Sequence, residues 1–270
     1  NELAARPIAM NAGYFTLDGT RLVPDPRAHS PWATEMLHGR LLGGVAARAI
    51  ENEFVEDGWR VSRLTVDLFR PAAMKPVQIL TSTVRMGRRV RVVDALMECD
   101  GHQVARVTAV VLATSEEPPG TIWRPVVESW PDPESMQPPS DSTGAADDDG
   151  WLFRVAQGGF ESAVQSRVWT NETVPLIAGE TMSPLVRSAV TGDIACPLAN
   201  SSDQGLFYIN ADYTMFFARY PVGDWVGIEV SQQLQADGLS IASATLVDSD
   251  GPFATSSGSS LTRPPLAQDT

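Results

Sequence analysis

The chain has 270 residues, 43% of them hydrophobic, which suits one large or two ordinary domains with real cores and excludes global disorder. Its net charge of −13, with Lys75 as its single lysine, argues against nucleic acid and anionic membrane as partners. No apolar run reaches transmembrane length, the first residues lack a charged-then-apolar signal pattern, and Cys99 and Cys196 form no metal-ligand cluster, so the expectation is a cytoplasmic protein without metal or cofactor.

Taken in chain order, Gly39 to Glu53 carries apolar residues at 41, 42, 45, 46, 49 and 50, a helical stripe, and Gly43-Gly44 predicts close approach of sheet to helix. β-rich runs follow at Trp59 to Phe69, Gln78 to Met86, Arg88 to Cys99 and Gln103 to Thr114, punctuated by Arg70-Pro71, Gly87 and Asp100-Gly101. Ser115 to Gly150 is rich in proline and acidic residues and reads as a linker, with Trp123 and Trp130 able to dock parts of it. The order then repeats. Phe160 to Trp169 is a candidate strand, and Ser183 to Asp193 a helix with Ser183 as N-cap and Pro184 in its first turn. Four more strands are expected at Gly205 to Arg219, Trp225 to Gln235, Leu239 to Asp248 and Phe253 to Arg263. A helix crossing a largely antiparallel sheet, given twice, predicts an α+β protein of two tandem units: residues 1–115, a linker 116–150, and 151–270. One irregular α+β domain with a long loop is the competing reading.

Charge divides the same way. Residues 1–115 carry a net +2, whereas 116–150 carry −8 and 151–270 carry −7, so only the first unit offers basic groups to an anionic ligand.

Four segments in order resemble one family. Met36-Leu-His-Gly-Arg-Leu-Leu-Gly-Gly through Glu51 resembles its first central helix, and Leu64-Thr-Val-Asp-Leu-Phe-Arg-Pro71 the strand that closes on arginine and proline. Val174 to Arg187 is similar to the approach to the second helix, and Tyr208-Ile-Asn-Ala-Asp-Tyr to Arg219 to the strand after it. The family is that of type II acyl-CoA thioesterases and related actinobacterial thioesterase-like proteins, which are double hotdogs: each unit is a central helix wrapped by an antiparallel sheet. The resemblance implies an acyl-CoA or acyl-carrier-protein thioester as substrate, hydrolysis to acid and thiol, and a homodimer or higher homo-oligomer. It also implies a catalytic set of an Asp on the second helix, a Thr or Asn on the next strand and a Gln on the last strand, mapping to Asp193, Asn210 and, five residues before the closing Arg263, Gly258. Gly258 departs from that pattern, and it opens a second reading, an acyl-thioester binder that has lost hydrolysis.

The residues themselves admit both kinds of role. A half-buried Asp193 could be a base or a helix-end residue bonded to backbone, and Asn210 could orient water or satisfy a neighbouring backbone group. If Gly258 faces inward, Ser256 and Ser260 share its face and could place water. His38-Gly39-Arg40 starts the first helix, where backbone N–H groups can meet a thioester oxygen, and His38 could instead cap the helix. Arg85, Arg88 and Arg89 flank a hairpin turn, as either CoA-phosphate ligands or solvated charges. No Gly-x-Ser-x-Gly elbow supports a serine hydrolase.

Overall fold

The computed structural model describes residues 12–123, 129–139 and 150–263. The first half opens with a hairpin of β1 (Phe15–Asp18) and β2 (Arg21–Pro24), then a small pair, β3 (His29–Ser30) and β4 (Ala33–Leu37). Helix α1 (Gly39–Phe54) precedes β5 (Trp59–Leu68), β6 (Val77–Met86), β7 (Val90–Cys99) and β8 (His102–Ala113). The second half supplies β9 (Trp151–Gln157), β10 (Arg167–Glu172), α2 (Pro184–Gly192) and α3 (Ala195–Asn200), then short β11 (Ser201–Ser202), β12 (Gly205–Leu206) and β13 (Tyr208–Asn210). It closes with β14 (Asp212–Phe217), β15 (Val226–Ala236), β16 (Leu239–Asp248) and β17 (Gly251–Thr262).

One sheet runs through both halves in the order β1-β2-β6-β7-β8-β5-β14-β17-β16-β15-β10-β9, with β13 pairing β17. Reading inward from either end meets equivalent strands, so the halves are related by an approximate two-fold at the β5–β14 pairing. There Thr65 faces Thr214, and Thr214 Oγ1 donates to Thr65 Oγ1 at 3.1 Å. The tandem α+β arrangement expected from sequence is therefore present, with each central helix against its own half of the sheet.

Alternation explains the wrapping. Val93, Ala95, Met97 and Cys99 on β7 are buried while Val92, Asp94, Leu96 and Glu98 between them are partly exposed, so the inner face meets α1. Leu41, Leu42, Val45, Ala46 and Ile50 form the buried stripe of α1. Gly43-Gly44 does more than admit the sheet. A Cβ on Gly43 would fall 1.8 Å from the Tyr213 hydroxyl, and one on Gly44 2.5 Å from Val190 of α2, so the pair also brings the two helices together.

Three expectations need correction. The strand expected over Phe160 to Trp169 begins only at Arg167 as β10, and residues 158–166 are a loop after β9, because Gly158 (φ +64°) and Gly159 (φ +104°) turn the chain out of the sheet. The strand over Gly205 to Arg219 is broken into β12, β13 and β14. The second helix resumes after Asp193 as α3, which sequence reading did not identify. The linker does dock in part. Trp130 stacks edge-on to Trp169 at 4.9 Å, Trp169 Nε1 donates to Pro131 O at 3.0 Å, and Trp225 Nε1 donates to Glu134 Oε1 at 2.6 Å. The linker stretches 124–128 and 140–149 lie outside the described residues.

Candidate active site

A cavity of about 570 Å³ opens where the start of α1 meets the α2–α3 junction, and its wall includes His38, Gly39, Asp193, Ser201 and Asn210. The rest is largely apolar, with Trp32, Met36, Leu68, Trp151, Phe160 and Ile209 prominent. Phe160 reaches it because the Gly158-Gly159 turn swings it off the sheet, and Glu161 beside it holds φ +55°, rare for a residue with a Cβ.

Asp193 occupies the break between α2 and α3 and is 6% exposed. The break is built from neighbours. A Cβ on Gly192 would lie 2.3 Å from Met215 Sδ, and Ser256 Oγ donates to Gly192 O at 2.8 Å, satisfying a carbonyl freed by the interruption. Ser256 thus faces inward but is spent on the helix end. Asn210 ends β13, and its Nδ2 donates to Asp193 Oδ1 at 3.0 Å and to Asp193 O at 3.2 Å. Asp193 Oδ2 lies 3.8 Å from where a Cβ on Gly39 would stand, so the second carboxylate oxygen faces the start of α1. Burial pushes the Asp193 carboxyl up to about 6, against the opposing pull of the Asn210 hydrogen bond and the Arg40 guanidinium.

Ser256, Gly258 and Ser260 do share the buried face of β17. Gly258 cannot carry a longer side chain: a Cβ there would come 2.4 Å from Asp212 O and 2.6 Å from Cys196 Sγ. The polar group beside Asn210 is instead Ser260, its direct cross-strand partner, whose Oγ donates to Asn210 Oδ1 at 3.2 Å. The alignment by distance from Arg263 pointed to Gly258, whereas the sheet register points to Ser260.

At the start of α1, His38 is the N-cap, and its Nδ1 accepts from Arg40 N at 3.4 Å. Burial, together with Arg40 and His29, holds the imidazole well below its usual range, so it is neutral with its proton on Nε2. Leu41 N donates to His38 O at 3.0 Å, which leaves Gly39 N–H as a first-turn donor with no acceptor among the described residues. Arg40 turns away into a buried cluster: its Nη1 is 2.8 Å from Glu172 Oε1, its Nη2 donates to Tyr14 OH at 3.2 Å, and its guanidinium lies over the Tyr14 and Trp151 rings. Burial opposes its charge, but Glu172 and Tyr14 outweigh that and hold it above its usual value. The cluster ties the N-terminal segment, α1, β9 and β10 together beside the cavity.

Arg85, Arg88 and Arg89 stand elsewhere. Their hairpin lies by the far end of α1, where the neighbouring Arg91 donates to Phe54 O at 2.9 Å, and a helix of this length spans about 24 Å. Arg70 is part of the cavity wall, and Arg263 lies against a wall residue, its guanidinium 5.1 Å over the Trp32 ring. Sequence reading missed Arg70 as a site residue because it sat in a strand-ending motif. It missed Tyr14 and Glu172 because nothing local marks a long-range ion pair.

Residues 28–112 match the acyl-CoA thioesterase N-terminal domain, and residues 116–261 match the acyl-CoA thioesterase C-terminal domain. Comparison with curated protein sequences finds no match. Among solved structures, the chain is similar to the tesB protein of Mycobacterium avium subs paratuberculosis, at 16% identity and TM-score 0.69, with 90% of this chain and 93% of that one covered. A hot dog fold protein of unknown function from Alicyclobacillus acidocaldarius gives 16% identity and TM-score 0.69 over 95% and 98%. A putative thioesterase II from Thermobifida fusca gives 15% and 0.69 over 97% and 100%. Likeness at these identities establishes the double hotdog fold.

Proposed function

The chain belongs to the acyl-CoA thioesterase family of hydrolases, and from that premise we propose that it cleaves a fatty acyl thioester of CoA or of a carrier protein with a water held at Asp193. The observation that carries this reading is the clamped carboxylate: Asn210 holds Oδ1 at 3.0 Å while Oδ2 faces Gly39 and the cavity. With its carboxyl at about 6, Asp193 is mostly ionised near neutral pH yet basic enough to take a proton from water.

The reaction then runs in two steps. Asp193 accepts a proton as the water oxygen bonds to the thioester carbonyl carbon, and the carbonyl oxygen takes up negative charge beside the Gly39 N–H at the positive end of α1. The C–S bond then breaks as the carbonyl re-forms, and the departing thiolate recovers the proton from Asp193. The products are the carboxylic acid and the thiol. The apolar wall of Trp32, Met36, Leu68 and Phe160 receives the acyl chain. Arg70 and Arg263 offer guanidinium groups to the phosphates of the thiol carrier, in place of Arg85, Arg88 and Arg89. Ser260, bonded to Asn210, supplies the third polar position, and this supports hydrolysis over a binding-only role despite glycine at 258.

The test is release of free CoA from a panel of acyl-CoAs by wild type and by Asp193→Ala. Turnover by the wild type and its loss in the variant are expected. Normal turnover in Asp193→Ala would remove Asp193 from the chemistry, and tight acyl-CoA binding without wild-type turnover would favour the binder.

A further inference from the structure

Behind Ser260 lies a second layer of buried polar groups that hydrolysis by Asp193 alone does not call for. Asn200, the last residue of α3 and 6% exposed, donates from Nδ2 to Ser260 Oγ at 3.3 Å. Its Oδ1 accepts from Ser240 Oγ at 2.5 Å and from Gln233 Nε2 at 3.4 Å. Joined to the bonds already described, the donors run one way: Ser240 and Gln233 to Asn200, Asn200 to Ser260, Ser260 to Asn210, and Asn210 to Asp193. Bonds aligned head to tail strengthen one another, and because Asn200, Ser240 and Ser260 are buried, a link broken among them is not repaired by water.

Direction is what matters here. An amide can be turned over, exchanging its donor and acceptor ends, unless its neighbours forbid it. The Gln233 donor in front of Asn200 Oδ1 opposes that turn at Asn200. Asn200 then donates to one lone pair of Ser260, whose hydroxyl proton goes to Asn210 Oδ1, and this keeps the Asn210 Nδ2 on Asp193.

We propose that Asn200, seated by Ser240 and Gln233, is a positioning residue for the hydrolysis: acting through Ser260, it fixes the Asn210 amide so that Asp193 is clamped by one oxygen and presents the other to the cavity. The inference rests on the role given to Asp193 above. The fold makes room for it with small inward side chains. Ser240, Ala242, Ser256 and Gly258 let α3 lie close on β16 and β17, with Cys196 against Gly258 and Asn200 within reach of both strands. An apolar core at these positions would fill the same space with no orientation to transmit.

The test is steady-state acyl-CoA hydrolysis across pH by the full chain carrying Asn200→Asp, with Asn200→Ala and the double change Ser240→Ala with Gln233→Ala alongside, and thermal melts for each. Asp at position 200 keeps the shape but removes the donor to Ser260, so the Ser260 hydroxyl turns towards the new carboxylate and releases the Asn210 amide. The charged and titratable groups around Asp193 are Arg40 and neutral His38 from α1, buried Cys196 on α3 and buried Tyr213 on β14, and none is altered. The expected result is a fall in kcat of about tenfold, the loss of one oriented hydrogen bond, with KM unchanged and the acid limb of the profile moved to higher pH. A folded Asn200→Asp with wild-type kcat and an unmoved acid limb would overturn the proposal. Should both Asn200 variants fail to fold, Ser240→Ala combined with Gln233→Ala removes both donors to Asn200 Oδ1 and must show the same signature, and its absence is equally decisive. Full turnover in Asp193→Ala would instead sink the site itself, a result the Asn200 variants cannot imitate.

Discussion

Asp193→Asn should make this protein more stable and much less active, with a pH dependence that identifies the cause. In the folded chain burial pushes the carboxyl from 3.8 up to about 6. The native state therefore holds this proton more tightly than the unfolded chain does. The stability from that proton is fully present below about 3.8 and is lost as pH rises through about 6, a loss of about 3 kcal/mol. Asparagine has the shape of the protonated acid and can still accept from Asn210 Nδ2, so it escapes the loss. Urea unfolding of the two proteins should give nearly equal free energies at about pH 4 and a gap of about 2–3 kcal/mol in favour of the variant at about pH 7. Over the same range wild-type kcat/KM should climb through pH about 6 and level off, while the variant loses about 10²–10⁴-fold. A stability gap that does not change with pH would refute the argument that desolvation of a buried carboxylate is the source.

Three more outcomes follow from the geometry. Restoring the glutamine expected at position 258, Gly258→Gln, should destabilise the fold by at least about 1–3 kcal/mol in urea melts without raising kcat, because the first side-chain atom already collides with Asp212 O and Cys196 Sγ. Glu172→Ala strands the Arg40 guanidinium in a buried site and should lower stability by about 3–5 kcal/mol, read as a shift of the urea midpoint. The triple change Arg85→Ser, Arg88→Ser and Arg89→Ser should leave the KM for acyl-CoA within about twofold, whereas Arg70→Ala combined with Arg263→Ala should raise it by about tenfold or more; the opposite ranking would put the phosphates at the hairpin.

Much of the architecture was legible in the chain. Period-two runs such as Val93 to Cys99 and the helical stripe of Leu41 to Ile50 are local patterns, set by which face each residue turns to the core, and they appear within a residue or two of where the sequence puts them. The tandem α+β arrangement and the candidates Asp193, Asn210 and His38 could be read from residue order and motif. The break before Phe160 had only the Gly158-Gly159 pair to mark it, and the resumption of the second helix as α3 could not be read, because contacts from distant strands impose it.

The third polar position and its support were beyond the sequence for the same reason. Counting from Arg263 singles out Gly258, but what stands beside Asn210 is decided by the register of β13 on β17, and that register brings Ser260 opposite it. Asn200, Ser240 and Gln233 are ordinary polar residues in an alignment of letters. They become a directed chain only when small side chains on β16 and β17 let α3 settle against the sheet. Local pattern determined that two helices would be wrapped and where an aspartate would end one of them. Long-range packing decided which groups that aspartate meets, because burial and hydrogen-bond direction depend on atoms brought together from far apart in the chain.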